Sequence, residues 1–126
     1  MDLDFLYIPT KDAAADASYF GDALGAEIVF TIQSGDTRVA AVALGERPLL
    51  LFADHLDGER PFMIFRTDDL GAKLDELEGD GWARAETFEI PHGPCCTFES
   101  PSGHRVGFYE LTRPEVVGHF AGRSDF

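Results

Sequence analysis

The sequence predicts an α+β fold of two βαβββ modules within one domain, residues 1–126. Three observations carry this. Short runs rich in branched and aromatic residues alternate with two helix-period stretches, and the order strand, helix, three strands occurs twice. A single offset of 57 lays residues 5–10 on 62–67, Asp12 on Asp69 and Leu50 on Gly107. Each helical stretch opens on an acid and closes at a glycine. The modules span residues 1–56 and 61–113, and a tail covers 114–126.

Residues 3–8 are apolar and end at Pro9, as a strand leaving for a loop does. Residues 12–24 contain neither proline nor a β-branched side chain; Ala13, Ala17, Phe20 and Leu24 share a helical stripe, and Gly25 supplies the stop. Strands follow at 26–33, 37–44 and 48–52, separated by Ser34-Gly35-Asp36 and Gly45-Glu46-Arg47, both of turn composition. The polar stretch 55–60 is a linker. The second module has a strand at 62–67 and a helix at 68–79 with Leu70, Leu74 and Leu77 on one stripe. Its strands are 83–90, 95–99 and 105–111, the last two joined by Ser100-Pro101-Ser102-Gly103, where proline sets one φ and glycine accepts a positive one. In the tail, residues 114–120 form a short helix capped by Thr112, and Phe120 and Phe126 favour docking over fraying.

With 10 Lys+Arg against 23 Asp+Glu, the net charge is −13. Such a chain lacks the cationic surface that binds nucleic acid or anionic membranes. At 44% hydrophobic and 26% charged, it has the composition of a folded domain. No apolar run approaches the ~20 residues of a membrane span, and the acidic start Asp2-Leu3-Asp4 does not resemble a signal peptide, so the expected location is cytoplasmic. Cys95 and Cys96 are neighbours; on a strand they point to opposite faces, serve as small apolar filler, and stay reduced.

Thr10-Lys11-Asp12 leading into Ser18-Tyr19-Phe20-Gly21-Asp22-Ala23-Leu24-Gly25, then Thr67-Asp68-Asp69-Leu70, and Ser100-Pro101-Ser102-Gly103-His104-Arg105-Val106 running into Phe108-Tyr109-Glu110 resemble the vicinal oxygen chelate superfamily of glyoxalases, extradiol dioxygenases and bleomycin-resistance proteins. The resemblance covers residues 3–113 and implies two modules curled into a half-open barrel around a ligand cavity, with pairing into a homodimer. Enzymatic members of that superfamily hold a divalent metal on the first and last strand of each module. Those places fall on Phe5, Leu50, Phe62 and Gly107, none of which has a nitrogen or oxygen ligand, nor do their strand neighbours. His55, His92, His104 and His119 are scattered over loops and tail and read as solvated. No metal, other cofactor or catalytic residue is therefore assigned.

Strand alternation then gives the expected cavity wall: Phe5 and Tyr7, Leu50 and Phe52, Phe62 with Ile64 and Arg66, and Gly107 with Arg105 and Tyr109. Trp82 either plugs the core or joins this wall at its rim. Aromatic walls with few polar groups suit a hydrophobic or aromatic small molecule. The expected function is metal-free sequestration of an aromatic natural-product antibiotic, as in bleomycin resistance. The alternative is a glyoxalase- or dioxygenase-like lyase, isomerase or oxygenase acting on a small substrate in the same cavity, either with metal ligands not among the positions named or without metal through Tyr7, Tyr109 or Arg66; a regulatory or scaffolding module with a filled cavity is a third reading.

Overall fold

The computed structural model describes residues 1–56 and 58–126; Asp57, in the expected linker, lies outside them. Strand β1 (Asp2–Pro9) leads to helix α1 (Ala13–Leu24), then to β2 (Glu27–Ser34), β3 (Thr37–Ala43) and β4 (Leu49–Ala53). The series repeats as β5 (Phe62–Arg66), α2 (Leu70–Gly79), β6 (Ala83–Ile90), β7 (Gly93–Glu99) and β8 (Arg105–Tyr109). The fold is α+β, as expected, with two α-helices and eight strands of mixed direction among the described residues.

The two helices begin by the same device. Asp12 Oδ1 accepts from Ala15 N at 3.0 Å, and Asp69 Oδ1 accepts from Ala72 N at 3.0 Å, each satisfying an N–H that the first turn leaves open. Helix α1 ends at Gly25, whose φ of 70° suits a residue without Cβ. Asp12→Ala and Asp69→Ala are each expected to cost about 1 kcal/mol, read as equal shifts in urea midpoint; unequal shifts would show that one cap is replaced by a neighbour.

In the first module the strand order is β2-β3-β4-β1, and in the second β5-β8-β7-β6. First and last strands pair parallel, β1 with β4 and β5 with β8, while the hairpin strands pair antiparallel. In the first module Ala13 and Ala17 lie against Ala40, Val42 and Phe52, the small helix residues allowing close approach. The Phe20 and Phe52 rings meet edge to face at 4.8 Å. In the second, Leu70 and Leu77 cover Cys96, Phe98, Val106 and Phe108, flanked by Met63, Phe65, Leu74 and Trp82.

The repeat does not keep one offset. Thr10 and Thr67, and Asp12 and Asp69, are related by 57, but Leu6 pairs with Leu50 where Met63 pairs with Val106. The last strands are thus offset by 56, and Leu51, not Leu50, is the counterpart of Gly107. The second module has one residue fewer between its helix cap and its last strand. A one-residue slip turns every side chain of a strand over, so Leu50 and Phe52 pack with the α1 cluster instead of lining a cavity.

The chain forms two compact units, Met1–Asp4 with Phe62–His119 and Phe5–Pro61 with Phe120–Phe126. The tail contains only the 3-10 turn Pro114–Val116, without a side-chain cap. The backbone N–H of Thr112 instead donates to His92 O and Glu110 O, continuing the strand pairing and leaving Thr112 outside any helix start. Among the described residues, no helix is long and apolar enough to cross a membrane.

Candidate functional site

Met63 and Phe65 of β5, and Val106 and Phe108 of β8, pack under α2. Phe62, Ile64, Arg66, Gly107 and Tyr109 therefore occupy the opposite face, as alternation requires. Gly107 leaves room there for an aromatic ring: a Cβ on it would lie 3.1 Å from Phe62 Cζ and 3.2 Å from Ile64 Cγ1. The Arg105 guanidinium carbon stands 6.0 Å from the Phe62 ring centre.

Arg66 and Tyr109 are register partners at the ends of β5 and β8. The chain's first residues complete the group. The Tyr109 hydroxyl donates to Asp4 Oδ2 at 2.6 Å, and Arg66 pairs through Nε with Asp4 Oδ2 at 3.5 Å and through Nη2 with Asp2 Oδ2 at 3.1 Å. The Asp4 side chain is 13% exposed, so its carboxylate is substantially desolvated and held by a cation and a phenol. The His92 ring meets Tyr109 nearly edge-on, centres 6.0 Å apart. Beneath, Cys95 is the β7 partner of Tyr109 and is buried.

This burial sets the protonation states. Desolvation lowers the His92 pKa below its ordinary value, and Arg113 lowers it further against the pull of Asp4, so the imidazole is neutral near pH 7. Burial, then the hydrogen bond to Asp4, raises Tyr109, which keeps its proton. Burial pushes Cys95 up to about 12, making its thiol unreactive. Arg66 is raised above its usual value, first by the bond to Asp2 and then by the charge of Asp4, and stays cationic. Tyr109 and Cys95 both bind their protons more tightly folded than unfolded, so stability is full below their unfolded pKa values and falls as pH rises through the folded ones. Urea midpoints are therefore expected to decline above about pH 9 to 10, and less steeply in Tyr109→Phe.

A cleft of about 670 Å³ adjoins the group, lined by Asp2, Arg66, Asp69, Lys73 and Glu110 among others. Its lining is polar, unlike the aromatic wall expected. Glu110 Oε1 accepts from Leu70 N at 2.9 Å and so seals the start of α2 together with Asp69.

Of the expected wall, Phe62, Ile64, Arg66, Gly107 and Tyr109 come together. Phe5 and Tyr7 are half-buried on the part of β1 that belongs to the other unit. Leu50 and Phe52 face α1, and Trp82 packs edge-on against Phe108 in the α2 core, its ring centre 6.3 Å away. Cys96 lies in that same core, on the face opposite Cys95. Sequence reasoning missed Asp2, Asp4 and His92. An acid inside an otherwise apolar strand was the available signal for Asp4, because a buried carboxylate needs partners. For His92 it was the following glycine, since Gly93 permits the turn to lie directly on the end of β8.

The metal positions implied by the resemblance hold Phe5, Phe62, Gly107 and, after the register correction, Leu51, so the residues present do not fit a metal there. Among the described residues, no group of three or more His, Cys, Asp or Glu is arranged to hold one elsewhere.

No protein-family model matches the chain, and no curated protein matches it. Solved structures do. Methylmalonyl-CoA epimerase from Mycobacterium tuberculosis is 18% identical, with TM-score 0.72 over 91% of each chain. A hypothetical protein from Bacillus halodurans C-125 is 12% identical, with TM-score 0.72 over 86% of this chain and 93% of its own. A Streptomyces coelicolor methylmalonyl-CoA epimerase variant in complex with 2-nitronate-propionyl-CoA is 15% identical, with TM-score 0.68 over 90% and 96%. These findings overturn the expectation of antibiotic sequestration: the similar structures of named activity are enzymes, Leu50 and Phe52 pack with the α1 cluster, and the half-buried Trp82 packs in the α2 core. What eight strands, two helices and the doubled βαβββ order establish is that this chain has the vicinal oxygen chelate fold.

Proposed function

We propose that this chain is an enzyme of the isomerase or lyase type, moving a proton on a small carbonyl compound at the Asp4–Arg66–Tyr109 group. The observation that carries this reading is the desolvated Asp4 carboxylate, 2.6 Å from a phenol that stays protonated and 3.5 Å from a guanidinium. Asp4 takes a proton from the carbon next to the substrate carbonyl, and the bonding pair moves onto the carbonyl oxygen. The Arg66 cation lowers the energy of the charge formed. Tyr109 holds the carboxylate in place and keeps its own proton. Asp4 then returns that proton, or one it has exchanged with solvent, to the same carbon as the carbonyl re-forms, which restores the starting state of the enzyme.

Similarity to epimerases, one of them in complex with methylmalonyl-CoA, directs the substrate search to acyl thioesters with an acidic α-hydrogen. The test incubates the purified protein in D2O with methylmalonyl-CoA, other acyl-CoA thioesters and 2-keto acids. Deuterium gained at the α-carbon is measured by mass spectrometry. Incorporation above the buffer rate in at least one compound is expected; buffer rates across the whole panel would exclude the proposal.

A further inference from the structure

Residues 122–126 lie along the outer edge of β2. Gly122 N donates to Val29 O, Thr31 N to Arg123 O and Asp125 N to Thr31 O, each at 2.9 Å, and Thr31 and Ser124 form a parallel bridge. Side chains extend this ladder. Asp125 Oδ2 accepts from Gln33 N at 2.9 Å, and Thr31 Oγ1 donates to Phe126 O at 3.0 Å. The Phe126 ring packs against the α1 core cluster, with the Arg38 guanidinium carbon 5.0 Å from its centre.

An edge strand presents unpaired N–H and C=O groups and accepts any extended segment that satisfies them. Here the covering segment is read by backbone bonds, by one acid that takes the Gln33 amide, and by one aromatic ring under a cation. Its connection to the rest of the chain passes through Gly118 and Gly122, with φ values of 78° and 82°, and through Val117, which is 61% exposed. Nothing in these contacts requires that the segment come from the same chain.

We propose that the outer edge of β2 is a strand-acceptor site, filled in cis by residues 122–126 and able to take the same segment from a second copy of this chain. The second copy is the occupant the contacts favour, because exchange reforms every one of them. Only the effective concentration changes, from about millimolar for a short tether to that of free protein.

The experiment uses the full chain. A fluorescent peptide of residues 119–126 is titrated into wild type and into Asp125→Ala/Phe126→Ala, whose own segment has lost both side-chain anchors. The variant is expected to bind the peptide at least about tenfold tighter than wild type, and a peptide with alanine in place of its last phenylalanine is expected to bind neither. Labelled wild-type chain then binds the unlabelled variant, and free peptide displaces it. Equal peptide affinities, or the lack of wild-type binding that the peptide displaces, would overturn the proposal. Phe126→Ala alone, which keeps Asp125, repeats the measurement if the double variant does not fold.

Discussion

Alanine at position 93 is expected to destabilise the protein by about 3 kcal/mol or more, seen as a melting temperature lower by about 10 °C or more. A Cβ on Gly93 would lie 2.0 Å from Glu110 O and 2.9 Å from Thr112 Oγ1, closer than non-bonded atoms approach, and the φ of 156° is one that L side chains rarely adopt. Relief is not at hand. Glu110 N donates to Pro94 O at 3.1 Å, and Thr112 N and Arg113 N to His92 O at 3.0 Å, so the two strands are fastened on both sides of the collision. The obstructing atom is backbone and not the end of a flexible side chain. Gly45→Ala, with negative φ and nothing within 4 Å, is the control and should melt like wild type. A Gly93→Ala protein as stable as wild type would mean that the His92 turn does not lie on β8.

Asp4→Asn is expected to lower deuterium incorporation by about 100-fold or more, the usual contribution of a positioned base. The amide oxygen still accepts from the Tyr109 hydroxyl, and Arg66 keeps Asp2 as a partner, so the fold should survive the change. What is lost is the negative charge that makes the oxygen basic enough to take the proton. Tyr109→Phe leaves the carboxylate but not its hydrogen bond, and a smaller loss is expected. If Asp4→Asn exchanges at the wild-type rate while remaining folded, the base lies elsewhere in the chain.

The fold is legible in the sequence because its signals are local. Asp12 and Asp69 open helices where their side chains reach the N–H three residues on, and both do so at 3.0 Å. Alternation along β5 and β8 placed Phe62, Ile64, Arg66, Gly107 and Tyr109 on one face correctly. The error in β4 came from treating the repeat as exact. One residue fewer before the last strand of the second module is invisible in composition, yet it turns Leu50 and Phe52 toward α1.

The amino-acid sequence by itself determined the α+β class, the doubled βαβββ order and the helix starts, because each depends on residue type and short-range spacing. Only the tertiary structure decided which polar groups meet. Asp4 and Tyr109 are 105 residues apart, and their meeting depends on how strands distant in sequence come together, which no local pattern encodes. The same holds for the tail, where Phe126 reaches Thr31 across 95 residues because an open strand edge was there to be satisfied.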